Sequence, residues 1–366
     1  MEFRQIAPGD DMEWAERCRY WADYRPVRRG RRKKYNYREP LILAGHGIQI
    51  NAHRNTLLIR PGITHYPQKS PEFRFFPGDP NLPDRIIILD ASGGITFDAL
   101  SWMSEQQISL IQLNWRGLVT FSGNSGIAAD SKLVRLQSEI QGSKKALQLN
   151  RALIVAKFDA CAETLLAVFG NCPVSNEAIT KIKSWKLKVL NSKQANSPGR
   201  ILGYEGVAAS VYYRSWHNLP LKWAGLWKKP VPSSWSRVGA RSMSWQRESN
   251  NARHPVNAML NYGYAMLISM VRTEVVSVGL DPSIGIAHRR AGNSIPLVYD
   301  LMEPLRPIVD RKILEFALSH TFTPGDFTIN SQGGCRLNPQ MARVIAGQIT
   351  ALSAGQPVHE FLNQLH

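Results

Sequence analysis

Four side chains in the C-terminal half of the sequence combine metal-ligand chemistry with an unusual context: Glu205, His288, Asp300 and Glu303. Glu205 lies in GYEGVAAS among small and apolar neighbours. Taken alone, it is an acid in the first turn of a helix, where the helix dipole favours a carboxylate. His288 ends the segment GLDPSIGIAH, and a lone histidine is more often a packed or surface residue than a ligand. Each residue by itself therefore predicts little.

The spacing of Asp300 and Glu303 carries more information. The two acids are three residues apart in VYDLMEPLRPIVD, so on a helix their carboxylates project from one face and suit a divalent cation. An acid-rich first helical turn is the ordinary alternative. The setting favours the metal, because a strongly basic protein that keeps acids together in an apolar helical region has a use for them in binding a cation beside phosphate.

Oxygen ligands with one imidazole favour Mg²⁺ or Mn²⁺. Bound there, the ion would polarise a scissile phosphate and lower the pKa of an attacking water or 3′-hydroxyl. The sequence has no G-x-S-x-G motif and no cysteine-based motif that would place a side-chain nucleophile. These residues therefore favour metal-dependent phosphodiester cleavage or strand transfer.

The composition points to a polyanionic substrate. The 366 residues include 45 Lys and Arg against 28 Asp and Glu, which gives a formal net charge of +17. Such an excess usually serves phosphate binding, since each neutralised phosphate releases counterions. Solubility alone is the alternative.

The cysteines and the apolar runs bear on the cellular compartment. The four cysteines are scattered and form no CxxC pair for zinc or a redox disulfide. No apolar run approaches the roughly 18 residues that cross a bilayer, and the N-terminus is charged and polar. We therefore expect a cytoplasmic protein.

A basic run at residues 25–38, interleaved with tyrosines, is a candidate nucleic-acid arm. Its candidate DNA contacts are Arg28, Arg32 and Lys33. A run of like charges is equally compatible with a simply solvated segment.

Two further segments are candidate DNA contacts. Arg289 and Arg290 directly follow His288. The stretch 216–251 contains five tryptophans among basic and small residues and shows no sustained period. Its mixture suits DNA, and packing of the tryptophans onto the helices is an equally good interpretation.

Short apolar segments predict a β-rich domain over 41–125. LILAGHGIQI, NTLLIR, RIIILD, ISLIQLN and LVTF are separated by Gly, Pro, Asn and Asp, and AHRN is a predicted hairpin turn. Thr96 is predicted to cap a short helix that presents Leu100 and Met103 to one face. The SGG at 92–94 lacks the spacing of a phosphate loop and is predicted to be a plain turn.

From residue 126 onward, apolar residues recur at three- and four-residue intervals, which predicts helices. The predicted organisation is a basic N-terminal extension (1–40), the β-rich domain (41–125) and a larger all-α catalytic domain (126–366). The fold class is α+β.

Several segments, taken together and in order, resemble one family, the CRISPR-associated spacer-acquisition integrases of the Cas one type. The resemblance covers roughly residues 41–340. It is carried by GHGIQI, RIIILDASGGITFDALSW, YEGVAASVYY, HPVNAMLNYGYAML, GLDPSIGIAH, LVYDLMEPLRPIVD and GGCRL.

The resemblance implies a residue assignment and an activity. The metal is held by the Glu of YEG, the His of GIAH and the second acid of DLME, which are Glu205, His288 and Glu303, and Asp300 matches a neighbouring acid that supports the site. The family acts on double-stranded DNA as a homodimer, usually joined to a small ferredoxin-like partner, Cas two. It inserts short DNA into a repeat array by 3′-hydroxyl attack on a phosphodiester.

The sequence departs from the family pattern in two places. The basic segment before Leu41 does not align, and the tryptophan-rich stretch ends in His254-Pro255 where the family has Asp-Pro. Two alternatives stay open: a non-catalytic basic DNA-binding scaffold, and a transposon-borne integrase of the same fold. The scaffold would tolerate alanine at the three metal ligands.

Overall fold

The computed structural model describes residues 40–63, 72–114, 119–123, 129–226, 230–239, 252–288, 295–329, 333–350 and 352–365. They all belong to one compact unit that spans residues 38–366. A β-rich part comes first in the chain and a larger helical part follows, so the predicted α+β class is confirmed. The boundary at residue 125 stays a prediction.

The β-rich part contains two four-stranded sheets and one helix. Its elements are β1 (Leu41–Ala44), β2 (Ile48–His53), β3 (Thr56–Arg60), β4 (Phe73–Phe75), β5 (Arg85–Leu89), β6 (Gly93–Ile95), α1 (Phe97–Glu105), β7 (Ser109–Leu113) and β8 (Val119–Gly123). One sheet has the order β1-β5-β7-β8, parallel except for the last pair, and the other has the order β4-β3-β2-β6.

Two local predictions in this part are confirmed. Arg54 and Asn55 join β2 to β3 with φ of 47° and 60°, as a two-residue hairpin turn requires. Thr96 caps α1 and its hydroxyl accepts a hydrogen bond from the Ala99 N–H at 3.2 Å.

The SGG segment differs from its prediction, because Gly93 and Gly94 lie in β6 and pair in parallel with β2. The strands approach so closely that a Cβ on Gly93 would lie 2.0 Å from the Ile48 carbonyl oxygen. The plain-turn interpretation is therefore wrong, since these glycines serve strand pairing.

The strand β5, in the middle of its sheet, is buried on both faces. Ile86 of β5 belongs to the core between the two sheets, whereas Ile87 and Leu89 belong to the core shared with the helices. Side chains alternate across a strand, so a strand covered on both sides needs a continuous apolar run, as in RIIIL. This sheet thereby joins the β-rich part to the helical part.

The helical part is built from long helices. They are α2 (Ser131–Ile140), α3 (Lys144–Phe169), α4 (Pro173–Leu190), α5 (Pro198–Arg214), α6 (Pro255–Ser277), α7 (Pro296–Met302), α8 (Arg306–Ser319), α9 (Pro339–Thr350) and α10 (Gln356–Leu365). Short strands, β9 (Lys222–Trp223), β10 (Thr321–Phe322), β11 (Phe327–Ile329) and β12 (Cys335–Leu337), form two small pairs that the apolar pattern does not predict.

The helix α6 is apolar around most of its circumference and is central to the core. Both α3 and α6 pack against α8, which brings the middle of α3 close to the segment between α7 and α8. No helix among the described residues is long and apolar enough to cross a membrane.

Candidate metal centre

A buried lysine joins two of the predicted metal ligands. The Lys157 ammonium donates hydrogen bonds to Oε1 of Glu205 and, at 2.6 Å, to Oε2 of Glu303. The Lys157 side chain is 11% exposed, and the acids are 19% and 9% exposed. The two carboxylates therefore converge on one cation in a largely buried place.

Three different elements hold these residues. Lys157 lies in the middle of α3, Glu205 lies on α5, and Glu303 begins a 3-10 turn, Glu303–Leu305, between α7 and α8. The helix α5 begins at Pro198 behind the Ser197 cap, so Glu205 is about two turns inside it. The interpretation of Glu205 as a first-turn acid is therefore wrong, and its stabilisation comes from Lys157.

Arg306 adds a second positive charge to Glu303. Its Nε lies 3.2 Å from Oε1 of Glu303. Burial would raise the pKa of Glu303, but Arg306 and Lys157 outweigh it and lower that pKa to about 2. Burial likewise opposes the charge on Lys157, and the carboxylates of Glu303 and Glu205 outweigh it, so the pKa of Lys157 is raised. Glu303 and Lys157 are therefore both charged at neutral pH.

His288 is oriented by Asp300. Its Nδ1 lies 2.6 Å from Oδ1 of Asp300, so in the neutral imidazole Nδ1 carries the proton and Nε2 keeps the lone pair. The hydrogen bond to Asp300 is the first cause of the raised pKa of His288. A histidine whose far nitrogen is fixed by a carboxylate is the usual arrangement of a metal-binding imidazole.

The same carboxylate shapes the loop that carries His288. Asp300 is 1% exposed and accepts backbone N–H groups of Ile286 at 2.5 Å, Ala287 at 3.0 Å and His288 at 3.1 Å. The loop bends tightly at Gly285, where a Cβ would lie 2.6 Å from the His288 carbonyl oxygen. The chain therefore wraps around one buried carboxylate and presents the imidazole.

The donor set suits a divalent ion, but it does not form a closed cluster. The described residues contain no group of three or more His, Cys, Asp and Glu side chains at metal-binding spacing. The Lys157 ammonium lies where two of the oxygens meet. Glu205 and Glu303 are thus brought together, and His288 is held by Asp300 with a free nitrogen. The roles assigned to these four residues stay predictions.

The structure also places residues that the sequence patterns did not indicate. Lys157 and Arg306 are both part of the charge cluster. A signal for Lys157 existed, because it is the only charged residue in the apolar helical stretch LIVAKF. Arg306 follows Glu303 by three residues, the spacing of an ion pair on a helix.

The predicted DNA contacts do not fall within the part of the chain that the structure describes. Arg289 and Arg290 follow the last described residue of the His288 loop, and Arg28, Arg32 and Lys33 also lie outside the described residues. Their role stays a prediction.

The tryptophan-rich stretch packs against the protein where it is described. Trp223 and Trp235 stack with ring centroids 6.0 Å apart, and the Trp235 Nε1–H donates to the Arg253 carbonyl at 2.9 Å. Trp216 lies edge-on to Tyr212 at 4.9 Å. For these three tryptophans the packing alternative is confirmed. Trp227 and Trp245 lie outside the described residues.

The comparisons with a family model and with curated relatives agree on one family. The family model described as CRISPR associated protein Cas1 matches residues 80–350. A CRISPR-associated endonuclease Cas1 of Francisella tularensis subsp. novicida is 26% identical over 75% of this chain and 78% of its own length. One of Methanospirillum hungatei is 36% identical, with the alignment spanning 46% of this chain and only 45% of that relative.

Two solved structures are similar to this chain in fold. A casposase bound to integration product is 26% identical with a TM-score of 0.67, over 85% of this chain and 82% of its own. A Cas1 protein from Thermotoga maritima has a TM-score of 0.66 at 17% identity, over 89% of this chain and 97% of its own. Because the family model covers most of the sequence, the chain belongs to the CRISPR associated protein Cas1 family.

Proposed function

We propose that this chain is a metal-dependent DNA endonuclease and integrase of CRISPR adaptation, which joins short DNA to a repeat array by attack of a 3′-hydroxyl on a phosphodiester. The observation that carries the proposal is the convergence of Glu205 and Glu303 on one cation, beside a histidine oriented by Asp300. Membership of the Cas1 family and the endonuclease names of its relatives support it.

Each residue of the site has a proposed task. Glu205, His288 and Glu303 would hold Mg²⁺ or Mn²⁺, the first and last through carboxylate oxygens and His288 through its ring nitrogen that faces away from Asp300. Asp300 holds Nδ1–H and the three backbone N–H groups of the His288 loop, so it fixes the imidazole without contacting the ion. Arg306 keeps Glu303 ionised.

A divalent ion bound there would polarise the scissile phosphate and lower the pKa of the attacking hydroxyl. The chain's own contribution is orientation. Asp300 and the Gly285 bend keep the imidazole in place, and Arg306 lies against one oxygen of Glu303 while Lys157 bonds to the other. An imidazole held in this way needs little rearrangement when an ion binds.

The test is strand transfer on a supercoiled target with Mn²⁺ present. We expect Glu205→Ala, His288→Ala and Glu303→Ala each to abolish integration while folding survives, because a missing ligand leaves the ion misplaced at the phosphate. Glu315→Gln is a matched control, since Glu315 is a carboxylate on α8 that pairs with Arg311 away from the site. Full integration activity in all three alanine variants would overturn the assignment of these residues as metal ligands.

The proposed partners follow from the family. We expect double-stranded DNA as substrate, a homodimer as the working form and a small Cas two protein as partner. Size-exclusion chromatography with light scattering, with and without the Cas two protein, measures the assembly directly. A monomer that integrates DNA without the Cas two protein would contradict both the homodimer and the need for this partner.

A second candidate function has its own observation. The casposase structure holds an integration product and is 26% identical to this chain, so a transposon-borne integrase of the same fold is the second candidate. Integration into paired plasmids with and without a repeat array separates the two. Equal insertion into both plasmids favours the casposase-like function.

A further inference from the structure

Lys157 occupies the place that the proposed function assigns to a metal ion. Its ammonium bonds to one oxygen of Glu205 and one of Glu303, and it comes from a third element, α3. Two buried carboxylates that share a site repel each other unless a positive charge lies between them. The lysine therefore supplies the compensation that a divalent cation would otherwise give.

The ammonium and an ion compete for the same oxygens. Oε2 of Glu303 lies 2.6 Å from Nζ of Lys157, and the other oxygen of Glu303 is engaged by Arg306 at 3.2 Å. An ion that uses Glu205 and Glu303 together therefore meets the lysine at both carboxylates. The two cations cannot both lie between these acids.

We propose that Lys157 is a positioning residue that stands in for the divalent ion: its ammonium holds Glu205 and Glu303 together when no ion is bound and leaves them when the ion binds. The proposal rests on the proposed function, because it takes these acids as ligands. It adds that a side chain of the protein, the Lys157 ammonium, is the cation that the metal ion displaces from between these two acids.

The structure has room for the displaced ammonium. A cavity of about 10 Å³, close to the space for one water molecule, is lined by Lys157, Glu205, Tyr212 and Asp310 among others. The Tyr212 hydroxyl is buried and has no hydrogen-bond partner among the described residues. A lysine that turns away from the carboxylates therefore meets space and a polar group together.

A permanent structural ion pair is the alternative, and it makes a different prediction. If Lys157 only holds the acids in place, removing it lets the carboxylates separate or take up protons, so metal affinity falls or does not change. If Lys157 competes with the ion, removing it raises metal affinity. The sign of the change in affinity decides between them.

The experiment is a calorimetric titration of Mn²⁺ into the wild-type chain and Lys157→Met, which keeps an unbranched side chain without the charge. We expect the variant to bind Mn²⁺ about 5- to 150-fold more tightly, the range typical of coupled binding events. Without metal, its melting temperature should fall below that of the wild type, and saturating Mn²⁺ should raise it more than in the wild type.

Lys186→Met is the matched control, since Lys186 pairs with Asp159 away from the site. It should leave Mn²⁺ affinity unchanged. Equal affinity in Lys157→Met and wild type, or weaker binding in the variant, overturns the inference while the proposed metal centre stands. If neither protein binds Mn²⁺, the metal centre fails and the inference with it.

The experiment still decides the question if Lys157→Met does not fold without metal. Lys157→Met that folds only in the presence of Mn²⁺ supports the exchange of one cation for the other. If Lys157→Arg, which keeps the charge, folds normally while Lys157→Met folds neither with nor without Mn²⁺, the ion cannot replace the ammonium and the proposal is wrong.

Discussion

Asp300 and Glu303 are three residues apart, and the structure gives them different partners. Asp300 accepts three backbone N–H groups and His288, whereas Glu303 meets Lys157 and Arg306. The helix α7 ends at Met302, and the 3-10 turn that follows directs Glu303 toward α3. The two carboxylates therefore have different tasks although their spacing is that of one helical face.

Substituting these two acids should separate orientation from ion binding. We expect Glu303→Gln to be nearly inactive at any metal concentration, since it removes a charged ligand. Asp300→Asn should keep Mn²⁺ binding and lose about 10- to 100-fold in integration rate, because the imidazole loses its partner. Calorimetric Mn²⁺ titration beside integration rates measures both effects.

Asp300→Asn should also lower stability, because the new amide donor faces groups that are themselves donors. An unmet buried hydrogen bond costs about 1–3 kcal/mol. Asp98→Asn, at an exposed position in the first turn of α1, is the control: it should leave the rate unchanged and cost less than about 1 kcal/mol, the value of an acid near a helix N-terminus. Wild-type Mn²⁺ affinity in Glu303→Gln would show that the ligand has been assigned to the wrong residue.

Among the secondary-structure elements, the helix α6 begins with a histidine where the family pattern has an aspartate. His254 stands before Pro255 at the N-cap of α6. Its Nδ1 accepts the Val256 N–H at 3.2 Å, and its Nε2–H donates to the Arg237 carbonyl at 2.8 Å. The imidazole thus caps the helix as an aspartate would, but only while it is neutral.

This cap predicts a pH dependence of stability. Burial is the main reason that the pKa of His254 is lowered in the folded protein. The unfolded chain, with an ordinary pKa of about 6.5, then binds protons more readily, so the contribution is complete above about pH 6.5 and is lost as pH falls through the folded pKa. We expect up to about 1 kcal/mol, the usual value of an N-cap.

The measurement is urea unfolding of the wild-type chain and His254→Asn from about pH 7.5 down to about pH 5. Asparagine caps a helix without titrating in this range. His288 contributes with the opposite sign, since its pKa is raised, and it is present in both proteins. The difference between them therefore reports His254, and a constant difference across this range would contradict the argument.

At the scale of the whole molecule, the net charge of +17 predicts how the protein meets DNA. We expect DNA affinity to fall steeply with salt and to depend little on sequence in the free protein. Each neutralised phosphate contributes about 0.9 to the log–log slope on B-DNA. Fluorescence anisotropy across a salt series measures this slope.

The basic N-terminal run gives this prediction an internal control. Replacing Arg28, Arg32 and Lys33 with Gln should reduce the slope by about 0.9 for each phosphate contact that is lost. Affinity that is nearly independent of salt in the unchanged protein would contradict the polyanion interpretation. An unchanged slope in the triple variant would place the DNA contacts elsewhere.

Features that depend on a few neighbouring residues could be predicted from the sequence. The Arg54–Asn55 turn and the Thr96 cap follow from local hydrogen bonding and backbone preference. The order of a β-rich part before a helical part follows from a change of apolar period. The candidate ligands were found from residue type, spacing and resemblance to a family.

Contacts between residues that are far apart in the sequence could not be predicted in this way. Lys157 bonds to acids 48 and 146 positions away, and Gly93 pairs with a strand in the other half of the β-rich part. No local pattern contains these distances, because they depend on how α3, α5 and the segment before α8 pack around a shared core. The sequence could therefore name the acids of the centre, whereas the cation between them is a consequence of packing.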